Sequence, residues 1–355
     1  ARAAGKTAGI RSGTPRIMIG LGLVLATLVA VVATLAALGL AAEAASLATL
    51  VATAVAADVP VGDGVVDHDA GGDLRRHAHE RDRVVVLRRP GLAERLHFER
   101  RLAGSPVFDR RAEQAVREVV AGYRPSDEIT GEEYGATRPA EPSGYRWSID
   151  PLDGTTNFVR GLPQFCTSVA VTGPVDAETA DLLGVAEGTE RWLAGVVAAP
   201  ALGRTWYASA GRGAFSTADA TTAGVDLPDR DAAPVRLTGP LPGRSGRLLA
   251  TGFGYDPARR ALQVRALAAL LPAFGDVRRI GSAALDLCMV ADGTLDAYAE
   301  FGTQEYDWAA GALVAEEAGV AVTRPASADG TAHPDWMVAG DVDGSALAAV
   351  TGERA

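Results

Sequence analysis

The stretch Trp147–Pro163, WSIDPLDGTTNFVRGLP, sets two carboxylates, Asp150 and Asp153, on either side of a proline and just ahead of a glycine. Trp147, Ser148 and Ile149 read as the end of a buried strand. Pro151 fixes φ and is expected to stop that strand, so that a turn follows. Gly154-Thr155-Thr156-Asn157 then opens like the first turn of a helix, whose leading N–H groups have no partner inside the helix. Paired carboxylates suit a hard divalent cation, which takes oxygen ligands. Free N–H groups at the positive end of a helix dipole suit a phosphate oxygen. Together they point to metal-assisted phosphoester hydrolysis. An isolated D-P-x-D-G would be an Asp-Pro turn with an Asx-type cap. Two further acidic clusters, Gly131-Glu132-Glu133 and Glu305-Tyr306-Asp307-Trp308-Ala309-Ala310-Gly311, argue for chemistry instead.

In order, GEE, WSIDPLDGTTNF and YDWAAG resemble the signature motifs of the inositol monophosphatase family of Mg²⁺-dependent, lithium-sensitive phosphatases. The resemblance runs from about Ser105 to the C-terminus. It implies a layered αβαβα sandwich, a homodimer, inositol 1-phosphate as substrate and two to three Mg²⁺ ions. By the resemblance, Glu132, Asp150 and the Leu152 carbonyl hold a first ion, and Asp150, Asp153 and Asp307 a second; a third sits near Glu132 through water. Glu132 and Thr155 orient and deprotonate the attacking water, and Asp153 serves both metal and substrate. The Gly154 and Thr155 N–H groups hold the phosphate, while Ser282, Ala283, Glu300 and Asp307 face the alcohol. Glu133 supports the shell. Histidinol phosphate and fructose 1,6-bisphosphate are the alternative substrates; Thr156 leans toward inositol, where a basic residue would lean toward histidinol phosphate. A non-catalytic, membrane-tethered relative is the reading from another class. The family's K-x-D-x-T-P-V-T-x-A-D segment has only a partial counterpart, Ser105-Pro106-Val107-Phe108-Asp109-Arg110-Arg111-Ala112-Glu113, without the lysine and with a shorter Pro106–Asp109 spacing. This edge of the site is where a departure is expected.

These residues need elements to hold them. Ala112, Ala115, Val116, Val119, Val120 and Tyr123 recur at threes and fours, predicting an amphipathic helix over Arg110–Tyr123. A short strand near Ile129 delivers Glu132 and Glu133, and residues 135–144 read as a loop. Strands are expected at Cys166–Thr172, Leu193–Ala198 and Arg204–Ala208, and Gly211–Phe215 turns into another. Residues 216–240 read as a linker. Beyond it come a strand at Arg247–Thr251, a helix from Pro257 to Leu271 and a helix capped by Ser282. A strand at Ala297–Glu300, a helix over Asp307–Ala318 closed by Gly319, a strand at Trp336–Ala339 and a short helix near Ala346–Val350 complete the series. The alternation is irregular, so an α+β arrangement fits better than a βαβ repeat.

The chain has 355 residues, is 48% hydrophobic and carries a formal charge of −10, which argues against a nucleic-acid partner. Cys166 and Cys288 lie in apolar runs and read as buried free thiols in a reducing compartment. Of 34 basic residues only Lys6 is a lysine, a bias of coding composition more than of charge design. Residues 17–42 carry no charge and follow Arg2, Lys6, Arg11 and Arg16, as a membrane anchor would. Three segments are expected: apolar residues 1–57, an Arg/His-rich linker over 58–104, and a phosphatase domain over 105–355, cytoplasmic unless the anchor exports it. His77 and His79 lack partners at ligand spacing and belong with the linker.

Overall fold

The computed structural model describes residues 105–218, 234–325 and 335–351. The apolar run 17–42, His77 and His79 lie outside the described residues. Among those described, no helix is long and apolar enough to cross a membrane.

An eight-stranded sheet has the order β2-β1-β3-β4-β5-β6-β7-β8. Its strands are β1 (Glu128–Gly131), β2 (Gly135–Thr137), β3 (Arg146–Asp153), β4 (Cys166–Pro174), β5 (Glu190–Ala199), β6 (Arg204–Ser209), β7 (Gly213–Ala218) and β8 (Val235–Arg236). A second, five-stranded sheet runs β10-β9-β11-β13-β12, from β9 (Leu248–Ala250), β10 (Asp276–Arg278), β11 (Ala297–Phe301), β12 (Val322–Thr323) and β13 (Trp336–Gly340).

The helices are α1 (Ser105–Tyr123), α2 (Thr155–Arg160), α3 (Ala177–Leu183), α4 (Pro257–Leu270), α5 (Ala283–Ala291), α6 (Glu305–Glu317) and α7 (Gly344–Thr351). Period-2 alternation along β4 decides the layering. Val169 and Val171 join Val116 and Val120 of α1 on one face. Ala170 on the other face joins α5 and α6, which Tyr298 of β11 and Met337 of β13 cover from beyond. Leu270 of α4 and Leu347 of α7 close the outer face of the second sheet. The result is the αβαβα sandwich that the motifs imply. Apart from Asp286, α5 and the middle of α6 (Trp308 to Ala315) are apolar on every side, as a layer buried between two sheets requires.

Several local expectations need correction. Pro151 does not end its strand: β3 continues to Asp153, and the pairing with β4 skips from Asp150–Ser168 to Asp153–Cys166. Proline lacks an N–H, and a bulge is where a strand can spare one. The helix before the site starts at Ser105, not Arg110. Residues 135–137 of the expected loop form the edge strand β2. The expected linker over 216–240 begins inside β7 and includes β8; residues 219–233 lie outside the described part. The helix carrying Asp307 starts at Glu305, capped by Gln304. Sequence reading missed α3, β10 and β12. Ser282 does cap α5, accepting from Leu285 N, and Pro257 does occupy the first turn of α4. Both cysteines are buried and free.

Candidate active site

The bulge in β3 is the centre of the site. It turns the strand so that Asp150, Leu152 and Asp153 all line one cleft of about 470 Å³. The Asp150 carboxylate accepts from its own turn at Leu152 N (3.0 Å). Asp153 Oδ2 accepts from the Ser282 hydroxyl (2.7 Å) and the Ala284 N–H (2.8 Å), which ties β3 to the first turn of α5. Thr155 donates through Oγ1 to the Leu152 carbonyl (2.9 Å). Gly154 joins strand to helix with φ +89, and a Cβ there would stand 2.7 Å from the Gln164 carbonyl. Only glycine combines that left-handed backbone with so close a neighbour. Asn157 braces α2 by donating to the carbonyls of Gln164 (2.6 Å) and Ile280 (2.8 Å).

The other motifs arrive from separate layers. Glu132 follows β1 and lines the cleft beside Asp150, with Glu133 next to it paired to Arg110 at 3.2 Å. Asp307, in the first turn of α6, accepts the Gln304 N–H (2.6 Å), so it caps its helix as well as facing the cleft. Glu300 at the end of β11 accepts from Tyr298 OH (2.9 Å) and, with Gly281, Ser282 and Ala283, forms the opposite wall. All ten residues assigned to catalysis, metal or substrate therefore share one cleft. Ser282 differs from the rest in that its hydroxyl is buried and already spent on Asp153 and Leu285.

Asp109, Tyr255, Arg259 and Arg279 are among the cleft residues that were not singled out as site residues. Asp109 on α1 reaches it from the edge where a departure was expected, and its Oδ1 is buried with no partner among the described atoms. Arg259, Arg279 and Tyr255 line the outer end near Glu300, and Tyr255 shares a hydrogen bond with Thr156 (2.9 Å). The arginines and Tyr255 sit in no motif, so proximity alone reveals them. Asp109 had a signal, since it stands in the segment similar to the family's.

The electrostatics of the cleft follow from crowding. Burial and then the neighbouring Asp153 and Glu132 hold the Asp150 carboxyl well above the usual carboxylate range. Burial does the same to Asp307, and Asp153 adds to it. Burial raises Glu132 as well. Asp153 is pushed up to about 6, chiefly by burial, against the lowering pull of its hydrogen bonds from Ser282 and Ala284. Burial carries Glu300 and Asp109 to about 7 each. Crowded carboxylates of this kind are stabilised by a cation, and an all-oxygen donor set fits Mg²⁺. The orphaned Asp109 oxygen adds one more acceptor at the same place. Among the described residues no three such side chains close on a single point as a finished cage would, so the structure gives a donor set and not a coordination sphere.

Residues 104–351 match the model of the inositol monophosphatase family. The chain belongs to the inositol monophosphatase family. It is 43% identical over 224 residues to the inositol-1-monophosphatase of Mycobacterium leprae, covering 62% of this chain and 67% of that one. It is 31% identical over 214 residues to a fructose-1,6-bisphosphatase/inositol-1-monophosphatase of Aquifex aeolicus, covering 59% and 68%. The solved structure of Mycobacterium tuberculosis SuhB superposes with a TM-score of 0.54 at 34% identity, covering 73% of this chain and 91% of that one. The family is one of phosphatases, and its fold is the layered sandwich described above.

Proposed function

We propose that the protein is a Mg²⁺-dependent phosphomonoesterase that hydrolyses inositol 1-phosphate to inositol and inorganic phosphate. The observation that carries this reading is the convergence of Glu132, Asp150, Asp153 and Asp307 on one cleft beside the Gly154–Thr155 turn. Glu132, Asp150 and the Leu152 carbonyl would hold one ion; Asp150, Asp153 and Asp307 would hold a second, with room for a third near Glu132 and Asp109. The Leu152 carbonyl already accepts from Thr155, and its second lone pair remains for a cation. Bound there, Mg²⁺ would offset the crowded charge, acidify an attacking water and stabilise the departing alkoxide.

The remaining work falls to the chain's own groups. Thr155 spends its proton on Leu152, which leaves its oxygen to accept from the attacking water. Glu132, raised by burial, is the base for that water's proton. Water attacks phosphorus, the ester P–O bond breaks, and the alcohol oxygen takes up a proton. The Gly154 and Thr155 N–H groups hold the phosphoryl oxygens, and Glu300 accepts from a substrate hydroxyl. Asp153 links both ends: Oδ2 is held by Ser282 and the first turn of α5, and the other oxygen would serve the cation. Burial pushes both thiols well up, so neither cysteine is suited to attack phosphorus.

A second reading is favoured by Arg259 and Arg279, which face the outer end of the cleft and would suit a substrate with another anionic group, such as fructose 1,6-bisphosphate. The Aquifex aeolicus relative carries both names. Histidinol phosphate has less support, since Thr156 is not basic. A homodimer is part of the proposal on family grounds. Phosphate release from purified protein with these three esters decides among them. The highest kcat/KM for inositol 1-phosphate supports the proposal, preference for the bisphosphate supports the second reading, and no release from any ester overturns both.

A further inference from the structure

We infer that the buried Glu113–Arg117 ion pair on α1 is a positioning device for Glu132, and through it for the metal, in the site proposed above. Glu113 is fully buried, which for an acid demands partners strong enough to offset lost hydration. One partner is Arg117, a turn along the same helix at 2.7 Å. The others belong to the motif itself. Glu113 accepts the backbone N–H of Glu133 (2.7 Å) and of Tyr134 (3.3 Å). Arg117 completes the grip by donating to the Thr137 hydroxyl (2.9 Å) and to the Gly135 carbonyl.

One helix thus holds the turn between β1 and β2 at several points, just after Glu132. The fit is close: a Cβ on Gly131 would occupy the place of the Glu113 carboxylate. Glycine stands there because a carboxylate must approach the strand end directly. Glu132 lies between this glycine and the residue whose N–H Glu113 receives, so its backbone has little freedom left. Neither Glu113 nor Arg117 lines the cleft. They touch neither substrate nor metal, and act only through the backbone of the residue that would.

The test uses the full chain with three variants, Glu113→Gln, Gly131→Ala and Arg117→Lys, and Mg²⁺ alone as the probe. Glu113→Gln keeps the shape, but its amide turns an N–H₂ toward donors where an acceptor is needed. Gly131→Ala leaves the ion pair's charges intact and wedges the carboxylate off the strand. Arg117→Lys keeps the charge and loses the fork to Gly135 and Thr137. Calorimetric titration without substrate should show Mg²⁺ binding weakened about tenfold or more in the first two variants, as is usual when a ligand's support is removed. The Mg²⁺ concentration for half-maximal phosphate release should rise in parallel, with KM for the ester changed less than threefold at saturating Mg²⁺. Should Glu113→Gln not fold, Gly131→Ala carries the comparison. Variants that melt earlier yet bind Mg²⁺ within twofold of the parent would make the pair merely structural and overturn the inference. A parent chain that binds no Mg²⁺ would instead sink the metal reading on which it rests.

Discussion

At the scale of single residues, Asp153 has the least freedom to change. Its Oδ2 must accept two hydrogen bonds, from Ser282 and Ala284, so an amide placed there has to use its oxygen for them. Asp153→Asn would then turn its N–H₂ toward the cation. The expected result is a loss of turnover of at least about a hundredfold, with a folded protein, read by phosphate release and circular dichroism. Release within tenfold of the parent at saturating Mg²⁺ would remove Asp153 from its assigned role. The raised carboxyls also set a pH dependence. Asp109 and Glu300 at about 7 and Asp153 at about 6 retain protons when folded that they would lose when unfolded. Stability of the Mg²⁺-free protein should therefore fall as pH rises from about 4 to about 7, by up to roughly 3 kcal/mol for each group. Mg²⁺ should flatten the trend, because a cation favours the ionised forms. A melting temperature in EDTA that rises over the same range would contradict this.

Elements, not residues, decide where the phosphate would rest. The junction of β3 and α2 depends on Gly154, whose positive φ and closeness to the Gln164 carbonyl exclude a side chain. Gly154→Ala should cost about 1–3 kcal/mol through backbone strain and shift the Thr155 N–H and hydroxyl together. Turnover should drop by more than about tenfold while Mg²⁺ binding changes less, since the carboxylates sit on either side of the junction. Chemical denaturation and calorimetry separate the two effects; unchanged stability and rate would show that the turn tolerates a Cβ. The same junction is welded to α6 from the far end of β3, where Arg146 pairs bidentately with Glu305 in the first turn of the helix that carries Asp307. Strand and helix thus hold Asp150 and Asp307 in one frame.

Over the whole molecule, everything assigned to chemistry lies between Asp109 and Asp307, and the family match begins at residue 104. A chain beginning at Leu102 should therefore be recovered folded without detergent and keep phosphate release within about tenfold of the full chain, since positioning depends on α1 and the two sheets. If it folds and binds Mg²⁺ yet is inactive while the full chain works, residues 1–101 take part in the site. Lithium tests the assembled cleft. The family resemblance implies that Li⁺ occupies the place built from Asp150, Asp153 and Asp307 after the alcohol leaves, so millimolar LiCl should inhibit uncompetitively. Indifference to Li⁺ would mean that this cleft differs from the family's, with the segment around Asp109 the first place to look.

The sequence by itself determined the candidate site residues and most of the elements. Asp150, Asp153, Glu132 and Asp307 stand in short motifs whose residue types can be read without a fold; apolar periodicity marks α1, and β-branched and aromatic content marks the strands, because burial enforces both. Caps were legible for the same local reason: Ser282 and Pro257 act within one turn of themselves. What only the tertiary structure decided depends on neighbours distant in the chain. Pro151 reads as a strand end because its effect on φ is local, yet pairing with β4 carries the strand past it through a bulge. Glu113 reads as a polar position on an amphipathic helix, and only the packing of α1 against the β1–β2 turn makes it a buried anchor. Arg259 and Arg279 belong to no motif and reach the cleft because α4 and the loop after β10 converge there. Short-range chemistry was written along the chain; which groups meet was settled by burying two sheets and three helical layers together.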